Sequence, residues 1–270
     1  MTPRLLRMTA LALCLGALWG VTATAAYAQT ADATQAATTS QPNQVQDPVA
    51  LVELVNLHCP RCRAVNLQAD DIDQAAKAAG ITYRVAPLAY TDQSPWPDRV
   101  YYAARDLYPG SEAYVRDAMF AGLQDDGESF EDLPQVLTYL QSEGIVDKIK
   151  KQFPDFRLSE VETYANTEAT LLPEVKASRL VSLSGATQVP VFIWVRDGQV
   201  LDVVKPKGAD DSAQDVLQPV LQKLRATAGG APLPASGMVV PVMNYTASPD
   251  GAAGAAPVNP VPTLTTPDQP

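Results

Sequence analysis

The chain's clearest hydrophobic pattern is the run over residues 51–57, where Val52, Leu54, Val55 and Leu57 follow one another without regular polar alternation. Such a run suits a strand buried on both faces. The period then changes. Over residues 63–79, Val65, Leu67, Ile72, Ala75 and Ala76 fall on one helical stripe that Gly80 ends. Residues 81–89 return to β character. Strand, helix and strand in so short a stretch predict a right-handed βαβ unit with a parallel pair.

Helical spacing dominates residues 94–183. One helix is expected over 98–107, ended by Pro109-Gly110, and another, capped by Ser111, runs to about residue 123 with Tyr114, Val115, Met119 and Phe120 inward. Asp132 with Gln135 resembles a capping box, and Gly144 closes that helix. A short helix over 145–153 stops at Pro154. Ser159 with Glu162 predicts a second box, opening a long helix through 183 that Pro173 kinks or interrupts. Residues 188–195 read as β again, Asp197-Gly198 as a hairpin turn, and 199–204 as the partner strand. A last amphipathic helix spans 211–224, with Pro219 a potential kink. Pro190, at the head of a strand, fits either an edge proline or a cis Val189-Pro190 bond.

The flanks are of another kind. Residues 1–28 have the form of a secretory signal: Arg4 and Arg7 begin it, an apolar stretch over 11–21 follows, and Ala26-Tyr27-Ala28 supplies a small-x-small cleavage site. Cleavage after Ala28 would start the mature chain at Gln29. A retained anchor is the alternative, although the apolar stretch is short for a bilayer. Lipid attachment at Cys14 is disfavoured by Leu13, where a small residue is wanted. Residues 29–47, rich in Ala, Thr and Gln, are expected to be a disordered linker, and 226–270 a disordered tail rich in Pro, Ala and Gly. The tail's one apolar island, 238–243, has either a docking role or none.

Composition adds bounds rather than identity. With 270 residues, 46% hydrophobic and 19% charged, the chain can bury one substantial core. Its formal net charge is −10, which becomes −12 if Arg4 and Arg7 leave with the signal, and no nucleic-acid partner is expected. Export would place the protein in an oxidising compartment, the periplasm.

The candidate chemistry sits just after the first strand, at Cys59-Pro60-Arg61-Cys62. Pro60 suits the first turn of a helix. Cys59 then lies at a helix N-terminus, where unpaired N–H groups and the dipole favour the thiolate, and Arg61 adds a fixed positive charge. Cys62 is about one helical turn on, within reach of a disulfide. Half of a zinc site is one competing reading. Structural zinc needs four Cys or His ligands, and after loss of Cys14 the chain offers only Cys59, Cys62 and His58. A purely structural disulfide closing so small a loop would stabilise little. Redox chemistry is the reading that remains in front.

A strand leading to Cys59-Pro60-Arg61-Cys62, a helical insertion, and Val189-Pro190 ahead of a hairpin together resemble the DsbA-like branch of the thioredoxin superfamily, the periplasmic thiol:disulfide oxidoreductases. The resemblance covers residues 48–225 and implies an α/β, thioredoxin-like fold with an α-helical subdomain inserted at about 94–184. It implies Cys59 as the attacked sulfur and Cys62 as its buried partner. A cis Pro190 would face them, and the Val189 backbone would pair with an extended substrate. Glu53, six residues before Cys59, matches the family's buried acid and is either a proton relay for Cys62 or a satisfied structural carboxyl. Arg61 replaces the His of the best-known members, and His58 replaces an aromatic. His58 is then a tuner of Cys59, a substrate contact or an incidental loop residue.

The leading function that follows is a dithiol oxidase for reduced exported proteins, reoxidised by a membrane partner of DsbB type, monomeric and without metal or organic cofactor. A reductase or isomerase using the same pair is the near alternative. A non-enzymatic envelope assembly factor holding a soft metal at Cys59 and Cys62 is the third.

Overall fold

The computed structural model describes residues 48–233. The leader, the linker and the apolar island at 238–243 lie outside them. A four-stranded sheet in the order β2-β1-β3-β4 organises the described chain. Strand β1 (Ala50–Val55) is central, parallel to β2 (Thr82–Pro87) and antiparallel to β3 (Val191–Arg196), which pairs antiparallel with β4 (Gln199–Val204). A central strand must face protein on both sides, which accounts for the lack of polar alternation in β1. Leu51, Leu54 and Val55 are all buried.

The stripe read as one helix over 63–79 is two: α1 (Pro60–Asn66) and α2 (Ala69–Ala78). The chain tightens between them through Gln68 N–H to Val65 O at 2.9 Å. Leu67, counted in the stripe, falls at this break and is 79% exposed. Val65 and Ile72 both reach the core on one face of the sheet. There they meet Leu51, Phe192, Trp194 and Leu217.

Six helices between β2 and β3 cover the other face: α3 (Trp96–Leu107), α4 (Glu112–Gln124), α5 (Leu133–Ser142), α6 (Ile145–Gln152), α7 (Leu158–Ala165) and α8 (Leu171–Ser184). Their apolar sides, including Tyr101, Tyr102, Val115, Met119 and Phe120, join Leu54, Val85, Val191 and Ile193 of the sheet in one core. Asp132 caps α5 as expected, accepting Gln135 N–H at 2.9 Å. Gly144 turns the chain at φ 64°.

Three expected details differ. Ser111 does not cap α4; its buried hydroxyl donates to the Ala104 carbonyl at 3.3 Å, satisfying the end of α3 instead. Ser159 is no cap either, since α7 already begins at Leu158 and its cap position is Arg157. The long helix is interrupted upstream of Pro173, at a 3-10 turn (Glu168–Thr170). Arg99 pins that interruption by donating to Thr167 O at 2.9 Å and to Thr170 Oγ1 at 3.1 Å. Pro173 consequently lies in the first turn of α8, where its missing N–H costs nothing.

The β3–β4 turn has positive φ at both Asp197 (50°) and Gly198 (71°), as a tight hairpin requires. Helix α9 (Ala213–Ala228) starts and ends later than expected, because Ser212 and Asp215 form a reciprocal capping box and the helix continues through Pro219. Its apolar side, Val216, Leu217, Val220 and Leu224, packs with α1 and α2 on the same sheet face. No helix of the described residues is long and apolar enough to cross a membrane.

Candidate active site

Strand β1 ends at Val55, and the three residues that follow deliver Cys59 to the mouth of α1. Asn56 is buried and makes this turn rigid. Its carbonyl accepts Cys59 N–H at 3.0 Å, its Oδ1 accepts His58 N–H at 2.9 Å, and its Nδ2 donates to Leu88 O at 2.9 Å and Gln93 Oε1 at 2.6 Å. Gln124, at the end of α4, closes the other side: its Nε2 donates to the carbonyls of Leu57 at 2.8 Å and Cys59 at 3.3 Å. The reacting loop is thereby tied both to the segment that follows β2 and to the helical layer.

Cys59 is the N-cap of α1, with Pro60 at the first helical position. Its sulfur accepts the Cys62 N–H at 3.2 Å, using a donor that every helix start leaves unpaired. Both cysteines are free thiols, Cys59 half-buried and Cys62 wholly buried. The Cys59 pKa is lowered to about 7, chiefly by the hydrogen bond from the Cys62 thiol. The Cys62 N–H, the Arg61 charge and the Arg61 N–H add to this, while partial burial opposes it. Cys62 moves the other way: burial raises its thiol well above the usual range, and the Cys59 thiolate and Glu53 push it further. One sulfur is poised as nucleophile and leaving group, and the other is held in reserve.

Across from Cys59 lies the loop before β3. The Val189-Pro190 peptide is cis, both residues are buried, and the Val189 carbonyl is 3.6 Å from Cys59 Sγ. Arg61 Nη1 reaches the neighbouring Gln188 Oε1 at 3.2 Å, and Nη2 reaches Ala209 O at 2.6 Å. Arg61 therefore joins α1 to two loops besides lending charge to Cys59.

Glu53 is 1% exposed in β1. Its Oε2 accepts the Tyr83 hydroxyl, and its Oε1 has no hydrogen-bond partner among the described residues. Burial lifts its pKa to about 7 against the lowering effects of Tyr83 and Arg116. The carboxyl thus influences Cys62 through its field, with its hydrogen bond made to Tyr83 and not to a sulfur. His58 is half-buried and its pKa is lowered by burial, partly offset by Asp92. Burial thus favours its neutral form over the imidazolium.

The structure thus brings Cys59, Cys62, Pro60, Arg61, Val189 and Pro190 together, sets Glu53 beneath them, and disfavours the charged form of His58. Sequence reading missed Asn56, Gln124, Tyr83 and Gln188. Only Asn56 carried a local signal, a turn-forming amide directly after an apolar strand. Among the described residues, no group of three or more His, Cys, Asp or Glu side chains is placed to hold a metal ion.

The mixed sheet β2-β1-β3-β4, a C-x-x-C pair at the start of the helix after the central strand, and cis Val189-Pro190 beside it define a thioredoxin-like fold with an inserted helical layer. Among solved structures, the chain is similar to the oxidoreductase DsbA of Xylella fastidiosa, at 16% identity over 68% of this chain and 88% of that one, with a TM-score of 0.48. It is similar to Pseudomonas aeruginosa DsbA at 19% identity over 70% and 88%, TM-score 0.48. The cytosolic disulfide reductase DsbM of P. aeruginosa gives 15% identity over 67% and 97%, TM-score 0.46. No family model and no curated protein matches the chain.

Proposed function

We propose that the protein is a periplasmic thiol:disulfide oxidoreductase that introduces disulfides into exported proteins. The observation that carries the redox reading is the asymmetry of the pair: an accessible Cys59 whose thiol is lowered to about 7, beside a buried Cys62 whose thiol is raised. In the oxidised protein, a substrate thiolate attacks Cys59 Sγ. A substrate–Cys59 bond forms, the Cys59–Cys62 bond breaks, and Cys62 leaves as a thiolate that must be protonated. Glu53, with a pKa of about 7, is a fitting local donor, since both its forms are populated near neutrality. A second substrate thiolate then attacks its own half of the mixed disulfide, and Cys59 leaves as the stabilised thiolate. The substrate loses two electrons, and the pair gains them. A membrane partner of DsbB type is proposed to remove them; neither a metal nor an organic cofactor enters these steps.

The oxidase direction follows from the expected export into an oxidising compartment. One observation favours a reductase or isomerase instead: the Cys59 pKa is lowered only to about 7. The corresponding stabilisation of the reduced form is fully present above about pH 9, where it amounts to roughly 2.7 kcal/mol, and is lost as pH falls through about 7. At neutrality less than about 1 kcal/mol of it remains. Equilibration with glutathione buffers discriminates the two. The oxidase reading expects a potential above about −200 mV, whereas one below about −250 mV would place the protein with the reductants.

A further inference from the structure

The guanidinium of Arg61 stands beside the reacting sulfur with only neutral acceptors bound to it, Gln188 Oε1 at 3.2 Å and Ala209 O at 2.6 Å. None of the ion pairs among the described residues includes it. Asp215 lies within the field of Arg61, but the Ser212 capping box has taken it and is the main cause of its lowered carboxyl: it accepts Ser212 N–H at 2.8 Å and Ser212 Oγ–H at 2.7 Å. Arg61 is half-buried, and Gln188 directly precedes Val189, whose carbonyl lies 3.6 Å from Cys59 Sγ. The fork thus borders the strip on which an extended substrate would lie. Planar guanidinium binds a carboxylate through two parallel hydrogen bonds, each about twice as strong as a bond to a neutral acceptor. A carboxylate arriving on the substrate therefore displaces a weaker partner, and Gln188, a side chain on a loop, can yield.

Resting on the thiol-exchange reading above, we infer that Arg61 is a specificity-determining residue that selects substrates carrying an acidic side chain one or two residues from the reacting cysteine. The chain's net charge of −10 would by itself disfavour acidic substrates, so the preference is local to this fork.

The test uses two short cysteine peptides that differ only in Glu or Gln beside the cysteine. Exchange rates with the oxidised full-length protein are normalised to each peptide's uncatalysed exchange with oxidised glutathione. The Glu peptide is expected to have the higher kcat/KM by about threefold to tenfold, carried in KM, with the ratio shrinking at high salt. Arg61→Met should bring the ratio to one, whatever it does to Cys59. Gln188→Glu should do the same with Arg61 retained, because it supplies an internal carboxylate. Equal rates for the two peptides with the unaltered protein, or a ratio that survives Arg61→Met, would overturn the inference while leaving thiol exchange standing. Exchange with neither peptide would overturn both.

Discussion

Replacing Cys62 with Ser is expected to freeze the reaction at its covalent intermediate. Cys59 would keep its place at the N-cap, with Gln124 and Asn56 still holding the loop, and would still accept the N–H of residue 62. Its thiolate can therefore attack an existing disulfide, in an oxidised substrate protein or oxidised glutathione, forming a mixed disulfide and expelling one thiolate, but no internal thiol remains to release the bound half. A covalent adduct should accumulate, and multiple turnover should fall by roughly a thousandfold or more, the scale on which loss of a member of a covalent pair acts. Cys59→Ser should lose turnover to the same extent and form no adduct, because buried Cys62 cannot be reached. Intact-mass measurement separates the two outcomes. Adducts on Cys62 in the Cys59→Ser protein would reverse the assigned roles.

Glu53→Gln is expected to stabilise the reduced protein by roughly 3 kcal/mol above about pH 8. The sign follows from the direction of the shift. Burial raises the Glu53 pKa from 4.5 to about 7, so the folded protein favours the protonated acid. That contribution is fully present below about pH 4.5 and is lost as pH rises through about 7, after which a charge must be kept in an apolar strand. Gln carries no charge at any pH and its side-chain oxygen can accept the Tyr83 hydroxyl. The melting temperature of the variant should exceed that of the parent by roughly 6–12 °C near pH 8 and converge with it near pH 4. The variant should also lower the thiol of Cys62, which Glu53 pushes up. A variant less stable than the parent at both pH values would mean that the carboxylate is paired more strongly than its unpartnered Oε1 indicates.

Much of this architecture was legible because it is written in local patterns. The uninterrupted apolar run before Cys59 announced a doubly buried strand, Asp197-Gly198 announced its hairpin, and Pro60 placed Cys59 at a helix start. What was not legible depends on tertiary contacts. The break after Asn66 has no helix-stopping residue to announce it, since neither Gly nor Pro stands between Asn66 and Ala69. The interruption between α7 and α8 is fixed by Arg99, nearly seventy positions upstream, binding the carbonyl of Thr167. The site divides the same way. Cys59, Cys62 and Arg61 share one motif, whereas Gln124 reaches the Leu57 carbonyl across 67 positions and Tyr83 reaches Glu53 from a neighbouring strand. That Glu53 would be lifted toward neutrality, and that the charged form of His58 would be disfavoured, are consequences of burial that no spacing in the sequence expresses.

The division of labour between the two sulfurs is tested most directly by following thiolate absorbance in the ultraviolet as the reduced protein is titrated, in parallel with Cys59→Ser. One ionisation near pH 7 that disappears in Cys59→Ser, with no second below about pH 9, is the expected result. Two thiols ionising together near pH 9, or a neutral-range ionisation that persists without Cys59, would contradict it.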